Sequence, residues 1–127
     1  MRKAALAIVL TLVVLLAGCA AKNQSTGAVS VDWNGEVKEF TVRAFQFGFE
    51  PDTLEVDLGD KVVINAYTSD VGHGLAIREF GVDMALMSKT PVTTEFIADK
   101  AGTFTFYCSI PCGRDHGAMR GKLIVNE

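Results

Sequence analysis

The chain has 127 residues, 49% of them apolar, with 12 Lys and Arg against 15 Asp and Glu. That length suits one domain with its own core, and not two. The slight acidic balance excludes nucleic acid as a partner, since that binding needs a basic footprint.

Arg2 and Lys3 precede an almost wholly apolar stretch, Ala4 to Leu16, which runs into Leu16-Ala17-Gly18-Cys19. A basic head, an apolar run and small residues before a cut form a secretory signal. A cysteine directly after Leu-Ala-Gly resembles the lipobox of bacterial lipoproteins. The resemblance implies cleavage after residue 18 and a lipid on the Cys19 sulfur. The other reading is an uncleaved anchor, for which Ala4 to Ala21 is barely long enough. Either reading puts the rest of the chain outside the cytoplasmic membrane, facing the periplasm or the cell exterior. Residues 19–28 are small and polar and read as a flexible tether, leaving residues 29–127 as the domain.

Val29, Val31 and Trp33 alternate with polar residues, and Asn34-Gly35 is a hairpin signal. Val37 to Phe47 reads as a strand with Phe40, Val42 and Ala44 on one face. Phe45, Phe47 and Phe49 are expected in the core. Pro51-Asp52 turns the chain, and Leu54, Val56 and Leu58 form the buried face of the next strand. Gly59-Asp60 turns it again. Lys61 to Tyr67 is apolar enough for a central strand. Leu75 and Ile77 resume the alternation, residues 79–91 read as a long connection, and Val92, Thr94, Phe96 and Ala98 alternate. The last two strands are Thr103 to Cys108 and Lys122 to Asn126. Seven or eight short strands, and no sustained helical period after the signal, predict an all-β Greek-key sandwich.

The chemistry is concentrated in Cys108-Ser-Ile-Pro-Cys112-Gly-Arg-Asp-His116-Gly-Ala-Met119. The chain's other histidine is His73. Cys108 and Cys112, in an oxidising compartment, default to a disulfide. A bridge across three residues would close too small a loop to constrain the unfolded chain much. Two imidazoles, one thiolate and a weak thioether make the mononuclear blue-copper set. The second thiolate allows another arrangement, in which both sulfurs bridge two copper ions and one imidazole caps each. Asp70 reads as a brace for the His73 loop. Met84 and Met87 read as core fillers, and Arg114 and Arg120 as solvated loop charges.

Cys-x3-Cys-Gly-x2-His-x2-Met with an upstream Asp-Val-x-His resembles the CuA domain of cytochrome c oxidase subunit II, especially that of B-type heme-copper oxidases. The likeness extends to Ala44-Phe-Gln-Phe-Gly-Phe49, Pro51, Leu54-Glu-Val56, Asp70 to Gly74, Gly102 and the terminal strand. It implies a cupredoxin-like sandwich, with His73, Cys108, Cys112, His116, Met119 and the Ile110 backbone carbonyl as ligands of two copper ions. It also implies one-electron transfer, with a c-type cytochrome or other small redox protein and a heme-copper oxidase core as partners. Many members carry Glu or Gln where this chain has Ile110, whose side chain cannot ligate. No enzymatic activity is expected of the domain alone, because those ligands leave no open position for substrate. Copper delivery is the alternative function.

Overall fold

A computed structural model describes residues 35–127. The signal segment, Cys19, the tether, Val29, Val31, Trp33 and Asn34 of the hairpin signal lie outside the described residues. Nine strands run in order: β1 (Val37–Phe45), β2 (Gly48–Glu50), β3 (Thr53–Asp57), β4 (Lys61–Thr68), β5 (His73–Ile77), β6 (Val82–Leu86), β7 (Val92–Ile97), β8 (Gly102–Tyr107) and β9 (Arg120–Asn126). They form a four-stranded sheet, β2-β1-β4-β7, and a five-stranded sheet, β3-β9-β8-β5-β6. The result is the expected all-β sandwich. β1 and β4 pair in parallel, as do β3 and β9, while the remaining pairs are antiparallel.

Alternation decides which face goes inside. On β4, Val62, Ile64, Ala66 and Thr68 point inward and their neighbours do not. β4 lies between β1 and β7, so its central position is as expected. Val42 and Ala44 of β1 meet Leu54, Val56, Leu75, Ile77, Phe106, Leu123 and Val125 in one core cluster. Burying each such aliphatic or aromatic side chain contributes about 1.5–3 kcal/mol. Phe49 and Phe106 pack edge to face, with ring centroids 5.2 Å apart. A Cβ at Gly121 would come within 2.1 Å of the Phe106 ring, so only glycine admits that ring.

Five expectations need correction. The strand from Val37 ends at Phe45, because Gln46-Phe47 turns the chain into the β1–β2 hairpin. Phe45 therefore leaves the core and lies under the Arg43 guanidinium, 4.5 Å from ring centroid to Cζ. Leu58 is 48% exposed, because β3 stops at Asp57 and the chain is already turning toward Gly59 (φ 93°). Residues 79–91 contain β6, whose Val82, Met84 and Leu86 are buried. An apolar Ala85 on the outer face had hidden that period. Met84 fills the core, but Met87 is 70% exposed, just past the end of β6.

Asp60 is a buried acid in the β3–β4 turn. Its carboxylate accepts from the N–H groups of Glu36 (2.8 Å) and Asp57 (2.9 Å). The bond from the Asp57 N–H is the main reason its pKa is lowered, against the opposing effect of burial. This turn closes the sandwich at the end opposite to the loops that carry the thiols, since β4 leads from it directly toward Asp70 and His73.

Candidate metal centre

The site gathers where β4 and β8 end, β5 begins and the loop before β9 starts. His73 is the first residue of β5 and fully buried. Cys108 follows the last residue of β8. Cys112 lies in the following loop, His116 in a short 3-10 turn (His116–Ala118), and Met119 just before β9. Cys108 N–H donates to the Met119 carbonyl at 3.2 Å, which closes the loop at its base.

All six donors converge. Cys108 Sγ stands 3.7 Å from Cys112 Sγ, 3.8 Å from His73 Nδ1 and 3.1 Å from the Ile110 carbonyl oxygen. Cys112 Sγ lies 3.6 Å from His116 Nδ1 and 3.8 Å from Met119 Sδ. Two donors about 2.0–2.3 Å from a shared ion at a tetrahedral angle lie roughly 3.3–3.8 Å apart. The cluster therefore has the spacing of a metal site, and its sulfur and imidazole donors suit copper better than a hard cation. Both cysteines are free, so the disulfide reading does not describe this arrangement.

Outer partners aim the donors. Asp70 Oδ1 lies 2.7 Å from His73 Nε2, which fixes the Nε2–H tautomer and leaves the Nδ1 lone pair facing Cys108. Asp70 in turn accepts from the N–H groups of Gln46 and Val71, each at 2.7 Å. Burial pushes the Asp70 carboxyl up, but the bonds from Gln46, His73 and Val71 outweigh it, and the net shift is downward. Asp70 thus braces the loop, as its place in the sequence suggested. Gly74 N–H donates to Cys108 Sγ at 3.4 Å. That approach requires glycine, because a Cβ at Gly74 would lie 2.1 Å from Ser109 Oγ and 2.8 Å from Ser109 N.

Burial pushes the Cys112 thiol up to about 11, helped by the hydrogen bond and charge of Cys108 and the charge of Asp70. The protein alone therefore keeps Cys112 protonated at neutral pH, and a bound cation would have to displace that proton. His116 is half-buried, the most exposed of the five ligand-type side chains. A depression of about 300 Å³ beside it is lined by Tyr107, Ser109, Gly117 and Arg120 among others.

Arg114 and Arg120 flank the loop as surface charges, the first 91% exposed and the second donating to the Gly117 carbonyl. Three residues escaped the sequence reading as site residues. Ser109 donates to Asp83 Oδ1 at 2.6 Å and ties the loop to β6. Gly74 permits the close approach just described. Gln46 Nε2 donates to the Cys112 carbonyl at 2.6 Å. Only Gly74, beside a histidine, carried any signal, since glycine next to a site residue marks close backbone approach. Gln46 sits in an aromatic run that reads as core.

Comparison with known proteins gives the family and the fold. The cupredoxin-like domain family matches residues 6–125. Cytochrome c oxidase subunit 2 of Thermus thermophilus is 28% identical over 86 residues, which are 68% of this chain and 64% of the relative. The protein of the same name from Thermostichus vulcanus is 36% identical over 73 residues, 58% of this chain and 22% of the relative. The aligned part thus spans 64% at most of these curated relatives' length. The solved periplasmic domain of subunit II of cytochrome oxidase from Bradyrhizobium japonicum superposes with a TM-score of 0.65 at 22% identity, covering 70% of this chain and 83% of that one. Because the family match runs over nearly the whole sequence and the fold agrees with it, the chain belongs to the cupredoxin-like domain family.

Proposed function

We propose that the domain carries single electrons through a dinuclear copper centre held by His73, Cys108, Cys112, His116, Met119 and the Ile110 carbonyl. The observation that carries this reading is the pair of buried thiols 3.7 Å apart, each facing its own imidazole nitrogen. A single-cysteine site would need only one of them. The two thiols and two imidazoles would hold the copper, and copper held there would supply a one-electron couple.

The chain's own residues make that couple fast. His73 and Cys108 are fixed at the ends of paired strands, and the ligand loop is closed by a backbone bond at its base. Ligands mounted on such a rigid frame move little. Burial of Cys108, Cys112, Met119 and His73 excludes water from most of the site. The half-buried His116 then offers a partner the shortest path to the ligands.

The relatives' names point to a place beside a respiratory oxidase, receiving electrons from a c-type cytochrome or another small redox protein. Residues 1–18 act as a lipoprotein signal and Cys19 carries the lipid, which holds residues 29–127 at the outer face of the cytoplasmic membrane through the tether. Among the described residues, no helix is long and apolar enough to cross a membrane.

Copper analysis and electron-spin resonance of residues 22–127 test this reading. Two ions per chain, with one unpaired spin coupled equally to both nuclei, are expected. One loosely held copper(I) without that signal would favour copper delivery instead. No uptake by the reduced chain would overturn the metal centre itself.

A further inference from the structure

We propose that Gln46 is a positioning residue that clamps the two arms of the centre together, a role that rests on reading the site as a copper centre. Gln46 is exposed at the tip of the β1–β2 hairpin, 66 positions before Cys112. Its backbone N–H donates to Asp70 Oδ2 at 2.7 Å, and the other oxygen of that carboxylate holds His73 Nε2 at 2.7 Å. Its side-chain Nε2 donates to the Cys112 carbonyl at 2.6 Å. Only the nitrogen end of the amide can face a carbonyl, since the oxygen end has no proton to give.

The packing around this contact leaves little freedom. Gly113, next to Cys112, has φ 139°, which favours glycine. A Cβ there would lie 2.9 Å from Gln46 Nε2 and 2.9 Å from Phe47 Cε1. The ligand loop therefore lies flat against the hairpin tip. One residue thus reaches both arms. Through Asp70 it fixes the ring of His73, and directly it fixes the backbone that carries the Cys112 thiol. His73 comes from the start of β5 and Cys112 from the loop after β8. Gln46 itself contributes no donor to the cluster, since it contacts Asp70 and the Cys112 carbonyl, so its effect is on aim and not on ligand count.

The test uses the full chain in detergent, with Gln46→Met and Gln46→Glu. Both keep the side-chain length and the backbone N–H that serves Asp70. The first removes the donor, and the second sets an acceptor against the Cys112 carbonyl. Gln46 lies outside the core cluster, so neither change removes a core side chain. In the reduced, copper-free chain, alkylation of Cys112 relative to Cys108, read by peptide mapping, is expected to rise roughly fivefold in Gln46→Met, the factor for one lost neutral hydrogen bond. It should rise further in Gln46→Glu. In the copper-loaded chain, release of copper to a chelator should be about tenfold faster, as for loss of other outer partners of metal ligands.

An unchanged thiol ratio in both variants overturns the clamp, and so does an equal rise at both cysteines, which is what general loosening gives. If the wild-type chain takes up no copper pair, the proposed function fails while the thiol ratio still decides the clamp.

Discussion

Cys108 and Cys112 differ in their surroundings although they share a loop. Cys108 accepts the Gly74 N–H and faces His73, whereas Cys112 faces the more open His116 and Met119. Cys108→Ser leaves Cys112, two imidazoles and the thioether, the set of a mononuclear blue site. Metal analysis of that variant should find one copper per chain with a single-nucleus spin signal, and retention of two would refute the bridging role. Cys112 also makes a pH prediction. Its folded pKa is raised from 9.0 to about 11. A raised pKa stabilises the fold fully below the unfolded value and stops doing so as pH climbs through the folded one. The reduced, copper-free chain should therefore lose stability between about pH 9 and 11. Denaturant melts should show a smaller loss over that range for Cys112→Ser, and equal losses would show that the thiol is not the cause. Copper loading runs the other way and should weaken on acidification, because the ligands must shed protons.

At the scale of elements, the site depends on how closely β5 lets the ligand loop approach. Gly74 has no room for a side chain, since its Cβ would overlap Ser109 Oγ at 2.1 Å and crowd the Ile110 N at 3.0 Å. Gly74→Ala should force the loop outward, lengthen the contact from the Gly74 N–H to Cys108 Sγ, and destabilise the fold by about 1–3 kcal/mol. Gly117→Ala is the control, because nothing lies within 4 Å of its Cβ. Calorimetry and copper titration of the pair should show Gly74→Ala impaired on both counts and Gly117→Ala close to wild type. Equal behaviour would mean that the loop can yield at Ser109 without cost. The β1–β2 hairpin is the other element that shapes the site, reaching it through Gln46 and through Phe49 against Phe106.

For the whole molecule, the sandwich is both core and mount. Phe106 is fully buried, packs on Phe49 of the opposite sheet, lies over Gly121, and is two residues from Cys108. Phe106→Ala should cost about 3–5 kcal/mol, the usual range for an aromatic removed from a core. It should also loosen the strand that presents Cys108. The donor groups meet only in the folded arrangement, so saturating copper should raise the melting temperature of this variant as well as of wild type. A variant that melts normally but binds no copper would show that the core and the site are uncoupled.

The sequence by itself determined the strand-rich sandwich and the central place of β4, while the proposed set of six donor groups came from its resemblance to a known family. Alternation with period two and turn residues are local signals, and a loop dense in sulfur and imidazole between two strand patterns marks where a site can form. Tertiary structure decided what local patterns cannot carry. It put Leu58 outside the core because the chain turns there, and revealed β6 behind the apolar Ala85. It also turned Gln46, in a run of aromatics, toward a carbonyl 66 residues away. A contact that distant leaves no period in the sequence. It exists only because two sheets pack face to face and bring a hairpin tip against a loop whose Gly113 leaves the space.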